Sequence, residues 1–476
     1  MIPIAALALA VATAAQPPRS LSLVVWGDLH GDPSPNLFSW VDSLRRVADG
    51  HHQPFLAVDA GDSFFGSDLA FATAGASQAA ALNLVQPDAI TLGAHDFWWN
   101  RGRLDTLLTS LKFPVATSNI LDALTDKPYG GKSWVMWDFD GLRVGLIGVS
   151  DPDLDAAARP TKAYDLRAND PTENVRSAVE ELTSRKAELV IVLSHAGIEV
   201  DHALAESVPG IHLVVGARDE ASQPGQQVGS TWFVRSATGS TRLTRIDLTL
   251  TDSGLSAVEM VQTPPAGIAL PKAWKPLFDS LSEIATSRAN AVLDTLKEAW
   301  PKTTHEGYLG NFLADALRME AKADIGLWPA SSLRSGLAKG RVTAGDLWKT
   351  IPPPEQVSVF ELPGSDVQRL LLYQMTKAKD FLFLSGASCT PDSSSSGGSP
   401  TQVSVDGKPI QSSTRYRIAI PMAIRQRLYD LTGFSIESAD PTYLERWDRD
   451  LIEKYIREHG LQSSLKRVPA MYGIRR

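Results

Sequence analysis

Leu21-Ser-Leu-Val-Val-Trp-Gly-Asp-Leu-His30 is the stretch that decides how this chain is read. The apolar, partly β-branched run Leu21–Trp26 predicts a buried strand, and Gly27 ends it. After the stop come a carboxylate, Asp28, and an imidazole, His30, one residue apart. In open α/β sheets ligands gather beyond the carboxyl ends of the strands, so both side chains can turn toward one cation there. One such triplet carries little weight, but the ending recurs. Phe55–Asp59 leads to Asp62, Asp88–Leu92 to His95, Leu189–Leu193 to His195, and His212–Val215 to the charged cluster Arg218-Asp219-Glu220. Five strand ends carrying Asp, His or Glu imply a shared oxygen and nitrogen site, a donor set that suits Mn, Fe or Zn.

The chain has 476 residues, enough for several domains, with 43% hydrophobic and 21% charged residues, as in an ordinary globular protein. A formal net charge of −8 argues against a nucleic-acid-binding surface. The only cysteine is Cys389, which excludes an internal disulfide and a cysteine-built zinc site. Ile2–Ala15 is an apolar, Ala-rich run with a small-residue cleavage pattern at Ala12-Thr13-Ala14, and it reads as a secretory signal peptide. No other segment is apolar enough to span a membrane.

From Leu21 to about Leu250 strand and helix patterns alternate, as in a layered α/β domain. Helices are expected over Phe38–Ala48, Ala70–Leu84, Arg103–Leu111 and Pro171–Lys186. Thr263-Pro264-Pro265 breaks the pattern. Leu277, Leu281, Ile284, Ala285, Val292 and Leu296 then predict one long connecting helix from about Trp274 to Trp300, with Arg288 interrupting the apolar stripe. A second domain follows, and its Thr390–Thr401 segment has the composition of a flexible surface loop.

Asp28-Leu-His30, Gly61-Asp62, Gly93-Ala-His95-Asp96, Ser194-His195-Ala-Gly197 and Gly216-Ala-Arg218-Asp-Glu220, in that order, resemble the motifs of the calcineurin-like metallophosphoesterases, specifically the 5′-nucleotidase family. Asp201–Val215, Gly310–Arg318, Gly340–Leu347 and Val359–Gly364 extend the resemblance into the C-terminal half. The resemblance implies an α/β fold: a four-layer β-sandwich flanked by helices, joined by a long helix to a second α/β, nucleotide-binding domain. The implied division is a signal peptide at 1–18, a metallophosphoesterase domain at 19–262, a linker and helix at 263–300, and a C-terminal domain at 301–476.

The resemblance assigns Asp28, His30, Asp62 and His195 to metal ligation, with Asp62 bridging two metal positions. It makes His95 the group that stabilises charge on the phosphoryl oxygens. Ala94 replaces a ligating Asn. Arg218 and Glu220 stand at two His positions, and Glu220 can still offer an oxygen. Arg218 cannot ligate, and a divalent ion at contact distance from it meets repulsion of several kcal/mol even at an effective dielectric of about 20. At most one tightly held metal is therefore expected, on Asp28, His30, Asp62 and Glu220. Arg218 either offers its fork to a phosphate oxygen or pairs with Asp62 and Asp28 and plugs the site. Trp98 replaces the acid that orients the catalytic His, so His95 is expected to lack a charged partner. In the C-terminal domain Arg334 matches a phosphate-binding position, and Phe381 and Phe434 match the aromatic pair that clamps a base, although an aromatic pair is as readily core.

Three functions follow. The first is a secreted or periplasmic phosphomonoesterase acting on nucleotides with a reduced site. The second is a pseudoenzyme that holds no metal and binds a nucleotide or a protein partner. The third is a thiosulfohydrolase of the same architecture.

Overall fold

The computed structural model describes residues 18–154, 165–218, 223–265, 267–351, 354–376, 380–391, 400–422, 429 and 442–462. Residues 1–17 of the expected signal peptide, Glu220, Phe434 and most of the Thr390–Thr401 segment lie outside them. Two compact units divide the chain. The first takes Met1–Phe65 and Ala74–Phe278, the second Gly66–Thr73 and Asp279–Arg476, so the chain passes between units at three places.

The first unit is a sandwich of two sheets. In the seven-stranded sheet the opening strand Arg19–Trp26 lies between Leu243–Thr251 and Phe55–Asp59, followed by the short strands Ala89–Ile90, Val115–Ala116 and Gly131–Lys132. In the six-stranded sheet Leu189–Ser194 lies between Leu142–Val149 and Leu213–Gly216. Strand side chains alternate in direction, which makes the layers. Leu21, Leu23, Val25, Leu56 and Val58 meet Leu146, Ile191, Leu193, Leu213 and Val215 between the sheets. On the outer face of the six-stranded sheet, Ile147, Val190, Val192 and Val214 pack against Val175, Val179 and Leu182 of helix Pro171–Ser184 and Leu204 of helix Ile198–Ser207. On the other outside, Trp26 meets Phe38 of helix Pro35–Gly50 edge-on. Helices, sheet, sheet and helices give the four layers the sequence implied. The expected helix over Ala70–Leu84 is instead two, Asp68–Ala72 and Ala76–Val85, parted where Gly75 takes a positive φ of 81°.

The second unit has a five-stranded mixed sheet in the order Leu382–Ser385, Ile325–Pro329, Arg415–Pro421, Gln356–Pro363, Thr442–Trp447. Trp328, Val359, Phe383 and Ala419 face helices Tyr308–Glu320 and Asp448–His459. Leu327, Phe360, Leu384 and Ile418 face helix Gly364–Thr376 on the opposite side.

The connecting helix is shorter than expected. It runs Lys275–Asn290, and Val292–Leu296 is a strand paired antiparallel with Gly340–Thr343. A β-branched start and the partner strand outweigh the helical spacing of Val292 and Leu296. Arg288, the break in the stripe, gives both terminal nitrogens to Glu453, with Nη1 at 2.8 Å, and its Nε lies 3.4 Å from Asp68 Oδ1. Arg449, fully buried, joins Glu453 through Nε at 3.2 Å and stacks 4.2 Å from the Trp348 ring. Removing Glu453 leaves two guanidinium groups sharing Asp68. Glu453→Ala is therefore expected to lower the stability of the second unit by about 3–5 kcal/mol, read as a lowered urea midpoint against wild type.

Candidate metal centre

Parallel pairing aligns the carboxyl ends of the strands: Trp26 sits opposite Asp59, Asp59 opposite Ile90, and Ser194 opposite Gly216. The ladders continue past the strand ends. Asp28 N–H donates to Gly61 O at 2.8 Å, His30 N–H to Asp62 O at 2.8 Å, and His195 N–H to Val149 O at 2.8 Å. Four of the five strand ends are thereby brought together. The ligand atoms of Asp28, Asp62 and His195 lie within 4.8 Å of one another, and so do those of His30, Asp62 and His95. Asp62 belongs to both groups, as a bridging carboxylate must. The partners differ from expectation: His195 groups with Asp28, and His30 groups with His95 rather than with Asp28. Asp28, His30 and Asp62 adopt φ values of 54°, 48° and 56°, a conformation that L-residues reach at a cost and that clusters at functional sites.

Each ring has a defined role. His195 Nδ1 donates to Ala60 O at 2.8 Å, which leaves Nε2 facing Asp62 Oδ2 at 3.2 Å and Asp28 Oδ1 at 3.4 Å. His30 is likewise hydrogen-bonded to the backbone of Phe65. A backbone carbonyl on one ring nitrogen orients the other for a metal. Asp62 Oδ1 accepts the His95 backbone N–H at 2.7 Å, while Oδ2 meets His95 Nδ1 at 2.5 Å. The expectation that His95 lacks a charged partner is thus corrected: Asp62 serves, and the Trp98 ring packs 4.7 Å away where the acid was expected.

Burial pushes the Asp28 carboxyl up to about 7, with the Asp62 charge adding to the shift and His195 opposing it. Burial alone would also raise Asp62, but the charge and hydrogen bonds of His195 and His95 hold it well below the usual carboxylate range. Burial disfavours the His195 cation, yet Asp62 and Asp28 raise the ring to about 10. His95 is raised too, because the Asp62 hydrogen bond overcomes burial, whereas His30 is lowered by burial. Buried carboxylates and backbone-oriented imidazoles are a donor set that fits a divalent transition metal.

Arg218 does not plug the site. Its Nη1 lies 2.8 Å from Asp151 Oδ2 and donates to Ala196 O at 3.1 Å, and its side chain is 40% exposed against 4% for Asp151. Asp151 was missed in the sequence although Val149-Ser-Asp151 shows the same signal, a strand ending in a carboxylate. Thr238, hydrogen-bonded to Asp28, carries no such signal. Whether Glu220 reaches a metal falls outside the described residues. In the second unit, Ala330 N–H donates to Phe381 O at 2.8 Å, placing Phe381 beside the end of strand Ile325–Pro329, while Arg334 N–H donates to Thr350 O at 2.9 Å. Arg334 is exposed, and Phe381 sits edge-on to Phe383 with ring centroids 5.3 Å apart. Phe434, its expected companion, is outside the described residues.

Residues 284–425 match the family model of the 5′-nucleotidase C-terminal domain. The trifunctional nucleotide phosphoesterase protein YfkN of Bacillus subtilis is 24% identical over 374 residues, 66% of this chain and 25% of that protein. The 2′,3′-cyclic-nucleotide 2′-phosphodiesterase/3′-nucleotidase of Salmonella typhimurium is 30% identical over 209 residues, 39% of this chain and 32% of that protein. Residues 284–425 therefore form a C-terminal domain of the 5′-nucleotidase family. The chain spans only a quarter to a third of the length of these curated relatives. In fold, the chain resembles the 5′-nucleotidase precursor of Thermus thermophilus, with a TM-score of 0.65 at 20% identity, covering 92% of this chain and 96% of that one. Among the described residues no helix is long and apolar enough to cross a membrane.

Gly93 is where the site tolerates no side chain, since a Cβ there would lie 2.2 Å from Asp62 Oδ1 and 2.7 Å from Asp62 N. Gly93→Ala is expected to displace Asp62 and cut Mn²⁺ retention by roughly tenfold or more, measured as metal per chain by mass spectrometry.

Proposed function

We propose that the chain is a secreted or periplasmic, metal-dependent phosphoric monoester hydrolase acting on nucleotides, with one tightly held divalent metal. The observation that carries this reading is that the stronger of the two ligand groups sharing Asp62 has its donor atoms within 4.8 Å of one another. Of the two, Asp28–Asp62–His195 brings two carboxylates and is the stronger attractor for a dication; His30–Asp62–His95 brings one. When bound, the metal supplies Lewis acidity toward a phosphoryl oxygen.

The remaining tasks belong to the chain. Asp62 keeps His95 Nδ1 occupied, so the ring presents its Nε2 edge to the charge that builds on the phosphoryl group or the leaving oxygen. Among the described residues both contacts of Arg218 use Nη1, and the rest of its fork is offered to a phosphate oxygen. Arg334 and Phe381 are proposed to hold a nucleotide in the second unit, by charge and by an aromatic face respectively.

A second reading is that of a binding protein without turnover. Ala94 at a ligand position and Trp98 at the position of an orienting acid favour it. Mn²⁺ content and 5′-AMP hydrolysis decide between the two. One metal per chain with phosphate release is expected, with His95→Ala lowering kcat on the order of 10²- to 10⁴-fold and Arg218→Ala raising KM. A metal-free chain that binds AMP without releasing phosphate selects the second reading.

A further inference from the structure

We infer that Asp96 is a positioning residue that builds the metal centre without touching the metal, holding Asp62 in its ligating conformation through the backbone around it. This rests on the metal-centre reading above.

Asp96 is fully buried, and each of its oxygens takes two backbone donors. Oδ1 accepts the N–H groups of Ser63 and Phe64, both at 2.8 Å, and Oδ2 those of Asp62 and Gly93, both at 2.9 Å. A carboxylate has about four acceptor positions, so these bonds leave none for a cation. A second buried carboxylate completes the platform: Asp59 accepts the Gly61 N–H at 3.0 Å and the Ser63 hydroxyl at 2.6 Å. Every backbone N–H from Gly61 to Phe64 therefore ends on one of two buried acids. Asp62, in the middle, is a non-glycine residue at φ 56°, a conformation that persists only where its surroundings over-determine it. These six hydrogen bonds go to the loop that carries the bridging ligand and to Gly93, two residues before His95.

The chemistry at this position demands an acid. An amide would turn one of its two termini into a donor, facing two N–H groups whichever way it is flipped. Asp96→Asn, nearly identical in shape, thus tests the role in the full chain. Mn²⁺ binding is followed by isothermal titration calorimetry, alongside the thermal midpoint of the metal-free protein. Asp96→Asn is expected to weaken Mn²⁺ binding by about 10- to 100-fold. Ser63→Ala, which removes only the hydroxyl bond to Asp59, is expected to give a smaller loss. Leu146→Ala, in the core between the sheets, is expected to lower the midpoint while Mn²⁺ affinity stays at the wild-type level. Wild-type affinity in Asp96→Asn, or an equal loss in Leu146→Ala, overturns the inference. If Asp96→Asn does not fold, Asp96→Ser, whose smaller side chain leaves room for water on the freed N–H groups, is read in its place, and wild-type Mn²⁺ affinity there overturns the inference. A wild-type chain that takes up no Mn²⁺ overturns the metal-centre reading itself, and this one with it.

Discussion

The first unit depends on hydrogen bonds that continue the strand ladders beyond the strands. A parallel ladder normally stops where the chain turns away, but here the residues after Trp26 stay paired to those after Asp59 through Asp28, His30 and Gly31. From the opposite sheet, the ring of His195 reaches across to the carbonyl of Ala60. One imidazole thus ties the two halves of the sandwich at the point where the ligands gather. The ladder bonds lie in the backbone, while the His195 ring and the Asp59 and Asp96 carboxylates fix the loops through their side chains.

The electrostatics of the pocket set burial against charge. Asp62 and His195 hold one another ionised, Asp62 low and His195 high, while burial pushes Asp28 up to about 7. A divalent cation held there would take the place of the protons, since both donor types bind a metal in their deprotonated forms. Arg218 stays apart from this balance because Asp151 answers its charge at the rim.

Much of this was legible in the sequence because the informative residues follow strands. A burst of Val, Leu and Ile fixes where a strand stops, and parallel pairing makes the stopping points coincide, so Asp28, His30, Asp62, His95 and His195 could be assigned to one place. Which ligand pairs with which could not be read. That depends on loop torsions, three of them in the left-handed region, and it put His195 beside Asp28 and His30 beside His95. The direction of Arg218 turned on Asp151, a partner distant in the chain, and was not legible either. The helix expected to reach Trp300 failed for a related reason: Val292–Leu296 becomes a strand because Gly340–Thr343 is there to pair with it, a fact no local window contains.

The three passages of the chain between the units carry a consequence for how the molecule can be divided. Asp68, one of the acids facing Arg288 and Arg449, is contributed by an eight-residue excursion, Gly66–Thr73, from within the N-terminal sequence. A fragment cut at the end of the sandwich would contain the whole C-terminal family match and still lack that acid, leaving its buried guanidinium groups a counter-charge short. Truncation at the obvious linear boundary thus carries an electrostatic penalty.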